Sequence, residues 1–125
     1  MSVGLKISNF ISMIDITDEM WEDIFNMADE TVQKAISELP EPVRKKANEW
    51  VCWLEKYSPR SEGNKRVLGI CAQNGNGICI YVGEIFQFVQ GNKEHFIKEI
   101  CRVYYHELAH GIGKLNEWEV QSRGL

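Results

Sequence analysis

The sequence predicts an α+β fold in which a small β-sheet packs against two long helices. Three observations predict it. Two stretches of about twenty residues each carry one apolar stripe at helical spacing. Two short apolar runs between them are joined by an Asn-Gly turn signal. No internal repeat, low-complexity tract or linker divides the 125 residues, so the chain has the length of one domain.

Residues 1–12 (MSVGLKISNFIS) are apolar but patternless, either a strand or a loose tail. The spacing predicts a helix over 18–37. Thr17 is its N-cap, and Asp18 and Glu19 fall in the first turn, where exposed amides favour negative charge. Met20, Trp21, Ile24, Ala28, Val32, Ala35 and Ile36 form its stripe, and Leu39-Pro40-Glu41-Pro42 ends it. Residues 43–56 begin with helix formers, but the aromatic and β-branched content of Trp50-Val51-Cys52-Trp53-Leu54 favours a strand. Residues 58–64 (SPRSEGN) are a loop by their turn residues. Strands are expected at about 66–72 and 78–82, joined by Asn74-Gly75-Asn76-Gly77. After Gly91-Asn92 a second helix runs to about Gly111. Its apolar face is Phe96, Ile97, Ile100, Cys101, Tyr104, Leu108 and Ala109, and Gly111 and Gly113 are its stop signals.

Composition excludes several function classes. Hydrophobic residues make up 44% and charged ones 26%, a globular balance that argues against disorder. A formal net charge of −4 is the wrong sign for neutralising phosphates, so nucleic acid and anionic membrane surfaces are poor partners. No apolar stretch is long enough to span a bilayer, and Asn9, Ser12 and Asp15 interrupt the N-terminus too early for a secretory signal. Cys52, Cys71, Cys79 and Cys101 lack C-x-x-C spacing, which points to free, partly buried thiols rather than disulfides or a cysteine zinc site. A cytoplasmic protein is expected.

The second helix ends in His106-Glu107-Leu108-Ala109-His110, an H-E-x-x-H motif. Residues four apart on a helix share a face one turn apart, so two imidazoles can converge on one metal ion. Glu107 projects beside that face, suited to act as general base towards a water acidified by Zn²⁺. The competing reading is a helix whose histidines are ordinary surface or packing residues. A zinc site needs a third protein ligand and an open position. The stretch after Gly113 offers the carboxylates Glu117 and Glu119, with Asn116 a weaker donor; Glu117 is the choice among them, its competing reading being a solvated surface glutamate, which is the favoured reading for Glu119. His95 lies roughly 16 Å before His106 along the helix and cannot reach the same ion.

Residues 106–120 (HELAHGIGKLNEWEV) resemble the extended pattern H-E-x-x-H-x-x-G-x-x-D of the minimal zincins, very small bacterial and archaeal metallopeptidase-like proteins. Met13-Ile14-Asp15-Ile16-Thr17-Asp18-Glu19 is similar to that family's N-terminus, and Glu38-Leu39-Pro40-Glu41 to its L-P-E junction. Residues 78–86 (ICIYVGEIF) resemble the strand before its active-site helix. The likeness covers 13–125 and implies a single zincin-like metallopeptidase domain there, with 1–12 an extension outside the chemistry. It also implies a sheet whose edge strand aligns a peptide or protein substrate, and 78–82 is the expected edge. One position departs: where the family has Asp, this chain has Asn116. Val120 lies three residues beyond Glu117, as the family's apolar residue lies three beyond its Asp. A one-residue insertion would therefore put Glu117 in the ligand position; the alternative is an Asn116-bearing site with weak metal affinity and little activity. All four methionines precede the motif, which excludes a methionine turn after it.

The function expected is zinc-dependent hydrolysis of peptide bonds. One alternative is a catalytically weak metal-binding or partner-binding module, with Trp118 and the tail covering the open metal position. Another, an RNA-cleaving enzyme using three histidines, is disfavoured by the misplaced His95 and the acidic balance.

Overall fold

The computed structural model describes residues 16–59, 61–62, 65–72 and 76–112. Helix α1 spans Asp18–Ser37 and α2 spans Glu41–Asn48. Strand β1 is Val51–Glu55, β2 and β3 are the two-residue strands Ser61–Glu62 and Lys65–Arg66, β4 is Gly69–Ala72 and β5 is Gly77–Tyr81. Helix α3 spans Val82–Phe88 and α4 spans Lys93–Gly111.

The long helices begin where capping chemistry starts them. Thr17 Oγ1 accepts from the amide of Met20 at 3.2 Å, and Asn92 Oδ1 accepts from the amide of His95 at 2.9 Å. Such a cap stabilises a helix by about 1 kcal/mol. Six of the seven residues expected on the α1 stripe are buried, and the seventh, Met20, packs against the core. On α4 the buried set is Phe96, Ile100, Val103, Tyr104 and Leu108. The expected face is thus rotated: Val103 is inside, and Ile97 lies at the rim with 37% of its surface exposed. Tyr105 fastens the two helices together, its hydroxyl donating to the Ala35 carbonyl at 2.8 Å.

Residues 43–56 divide between the two structures the sequence left open, with α2 in the first half and β1 in the second. The 58–64 loop contains β2 and one side of a short antiparallel pairing, Ser61 with Arg66 and Glu62 with Lys65.

The main sheet has the order β1-β5-β4. Strand β1 runs parallel to β5, with Cys52 beside Ile78 and Leu54 beside Ile80. Strand β4 runs antiparallel, with Ile70 beside Cys79 and Cys71 beside Ile78. The strand expected at the edge, 78–82, is therefore the central one. Its unbroken apolar run is the reason: Ile78 and Ile80 are buried beneath the helices, while Gly77 and Tyr81 on the other face are buried too.

The strand-like reading of 78–86 also fails beyond Tyr81. The chain turns into α3, which buries Val82, Gly83 and Ile85, and Glu84 accepts from the amide of Ser58 at 3.1 Å. Helix α3 stops at a turn in which Gln90 and Gly91 adopt φ of 55° and 73°. Residues 1–15, which include the expected 1–12 extension, and residues 113–125 lie outside the described set. Among the described residues, no helix is long and apolar enough to cross a membrane.

Candidate metal centre

Helix α4 carries the H-E-x-x-H motif in its last two turns. The four-residue spacing does what helical geometry requires. His106 and His110 lie one turn apart, both partly buried, with ring centroids 4.9 Å apart and planes at 72°. Their Nε2 atoms are 3.3 Å from one another. Two imidazole nitrogens bound to one tetrahedral zinc at about 2.0–2.1 Å stand about 3.3–3.4 Å apart, so the pair already has the spacing of two zinc ligands. Two neutral rings at this distance can alternatively share one proton in an Nε2–H···Nε2 bond.

Glu107 points to neighbouring ground. A Cβ built on Gly69 of β4 would lie 3.4 Å from Glu107 Cγ, 2.7 Å from Val103 Cγ1 and 3.2 Å from the Cys79 carbonyl oxygen. The bare glycine lets α4 lie close on β4 and sets the Glu107 side chain against that strand. Electrostatics agree with the geometry. Burial pushes the Cys71 thiol above its ordinary range, and the Glu107 carboxylate nearby pushes it further.

The helix ends at Gly111, as the sequence predicts, with Ile112 as its C-cap at φ and ψ of −74° and −43°. Gly111 also packs closely. A Cβ at Gly111 would come within 2.3 Å of Trp50 Cη2 and 3.0 Å of Cys71 Sγ. Trp50 and Cys71 thus form the wall on which the His110 end of the helix rests. Neither had been singled out for the site. Their sequence signal is faint, because the contacts join Gly111 to residues about sixty and forty positions away in the chain.

The structure brings together the rings of His106 and His110, sets Glu107 against β4, and leaves His95 exposed in the first turn of α4. Glu117, Asn116, Glu119 and Trp118 lie outside the described residues. Among the described residues, no group of three His, Cys, Asp or Glu side chains is placed to hold a metal. The four cysteines are free and partly buried, as their spacing predicted. Among the described residues, β4 pairs only with β5. Compared with known proteins, the chain matches no family model and no curated protein.

Proposed function

We propose that this chain is a zinc-dependent metallopeptidase, with His106 and His110 as metal ligands, Glu107 as general base and Glu117 as third ligand. One observation carries the reading: the two Nε2 atoms stand 3.3 Å apart, the chord between two ligands of a tetrahedral ion. Zinc, when bound, supplies a Lewis acid that lowers the pKa of water towards neutrality and polarises a carbonyl. Glu107 takes the proton from the attacking water and passes it to the leaving amine. That role needs a carboxylate beside the ligand face rather than on it, which is where position 107 falls.

Substrate alignment belongs to β4 rather than to the strand expected from sequence. An extended peptide pairing with β4 on the side away from β5 would be held mainly by backbone hydrogen bonds, with Glu107 packed against the same strand. Such binding tolerates many substrate sequences.

The test is zinc content and peptide cleavage in wild type, His106→Ala, Glu107→Gln and Glu117→Ala. The expectation is one zinc per chain in wild type and Glu107→Gln, zinc lost from His106→Ala and Glu117→Ala, and cleavage in wild type alone. Zinc retained in Glu117→Ala would move the third ligand to Asn116, Glu119 or water. Zinc bound in wild type with no cleavage would leave a metal-binding module.

A further inference from the structure

On the opposite side of the sheet from β4, β1 forms the other edge. Among the described residues it pairs only with β5. Natural edge strands are usually protected by lysine, proline or a bulge. Strand β1 reads Val-Cys-Trp-Leu-Glu and has none of these.

A cleft of about 280 Å³ lies beside this edge. Its strand wall is Trp50, Cys52 and Leu54, every second residue. Its helical wall is Asp29, Val32, Gln33 and Ile36, a single stripe of α1, and Ala47 and Asn48 of α2 close it. Val32, Ile36 and Ala47 are buried and form an apolar floor. Asp29, Gln33 and Asn48 are exposed and form polar lips. On the other face of β1, Val51 and Trp53 leave 50% and 46% of their surfaces exposed. A strand edge unpaired among the described residues and facing a helix across an apolar trough is the geometry that accepts one more strand.

We propose that this cleft binds an extended segment of a partner protein, added as a strand along the outer edge of β1, with apolar side chains directed into the trough and a Lys or Arg beside Asp29. Charge selects this occupant. Asp29 is the one charged residue among those lining the cleft, and it makes no hydrogen bond or ion pair among the described residues. Glu49 and Glu55 are exposed at the two ends of the strand. A second copy of this chain docked antiparallel through β1 would bring the Glu49 end of one strand against the Glu55 end of the other. A basic segment complements these carboxylates. Asp29 also lies near enough to Cys52 to add to the effect of burial and Cys79 in raising that thiol's pKa, so the Cys52 side of the trough is uncharged at neutral pH. The five residues of β1 match a partner segment of about five residues. The site is independent of the metal reading.

The experiment is an NMR titration of the full chain with the blocked peptide acetyl-Val-Thr-Val-Thr-Lys-amide. Two further probes are its analogue with Glu in place of Lys and its analogue N-methylated at alternate amides. Saturable shifts should map to the amides of 51–55 and to α1 around Asp29. The Glu analogue and the surface variant Asp29→Lys should each bind about fivefold or more weakly, as expected for losing an exposed ion pair. The N-methylated peptide should fail to bind, because it keeps its side chains but cannot pair with the strand. Absence of saturable binding, shifts mapping elsewhere, or equal binding of the N-methylated peptide would overturn the proposal. Concentration-dependent broadening of the 51–55 amides without peptide would assign the edge to a second copy and overturn it equally.

Discussion

Gly69→Ala tests how the H-E-x-x-H helix is seated. The added Cβ would meet Val103 Cγ1 at 2.7 Å and the Cys79 carbonyl oxygen at 3.2 Å. Unstrained carbon atoms sit about 3.5–4.0 Å apart, so the first contact is short by about 1 Å. Neither neighbour yields easily. Valine in a helix has essentially one rotamer, and the oxygen belongs to the backbone of the central strand. Helix α4 must therefore lift from β4. Overpacking of this kind costs about 1–3 kcal/mol, and the gain from replacing a strand glycine offsets about 0.5–1 kcal/mol. The net expectation is a loss of about 1–2 kcal/mol by urea denaturation, or a fall in Tm of about 3–6 °C for each kcal/mol. His106 and His110 ride on the same helix and should keep their mutual spacing and their zinc. Glu107 should shift relative to β4, with cleavage falling on the order of 10–100-fold. In Gly69→Ala/Val103→Ala the closest contact is gone, so the two substitutions together should cost less than their sum. A denaturation midpoint for Gly69→Ala equal to or above that of wild type would refute the claim that this glycine sets the helix-to-strand distance.

Other expectations follow from single contacts. Gly111→Val forces side-chain atoms into the Trp50 ring, 2.3 Å from the position of the new Cβ. It should cost about 1–3 kcal/mol and change the Trp50 contribution to fluorescence. Tyr105→Phe removes the 2.8 Å hydrogen bond to the Ala35 carbonyl and should cost about 0.5–1.5 kcal/mol in urea. Burial, followed by the charges of Cys79 and Asp29, pushes the Cys52 thiol from 9.0 to about 12. Between those values the unfolded chain releases a proton that the folded chain retains, so stability should fall as pH rises from about 9 towards 12. Denaturation midpoints across that window should fall less steeply in Cys52→Val, and Cys52 should react slowly with thiol reagents at pH 8.

Much of the fold is legible from short segments. Thr17 and Asn92 mark the helix starts because a cap and its amide partner are three residues apart. The α1 stripe is legible because burial on a helix recurs with the helix's own period. The same period predicts the close approach of His106 and His110, so the centre of the candidate site is encoded in five consecutive residues. Helix α3 was missed because its seven residues, VGEIFQF, follow an apolar strand without a capping side chain, and apolar runs of that length do not separate helix from strand.

By itself, then, the sequence determined the long helices, the turn-linked strands, the free thiols and the imidazole pair, since each depends on interactions within a few residues. Only the tertiary structure decided that β5 lies between β1 and β4 among the described residues, and that Gly69, Trp50 and Cys71 seat the H-E-x-x-H helix. Strand order and helix-to-sheet contact join residues far apart in the chain. They are selected by which apolar faces can be buried together, and no single segment records that choice.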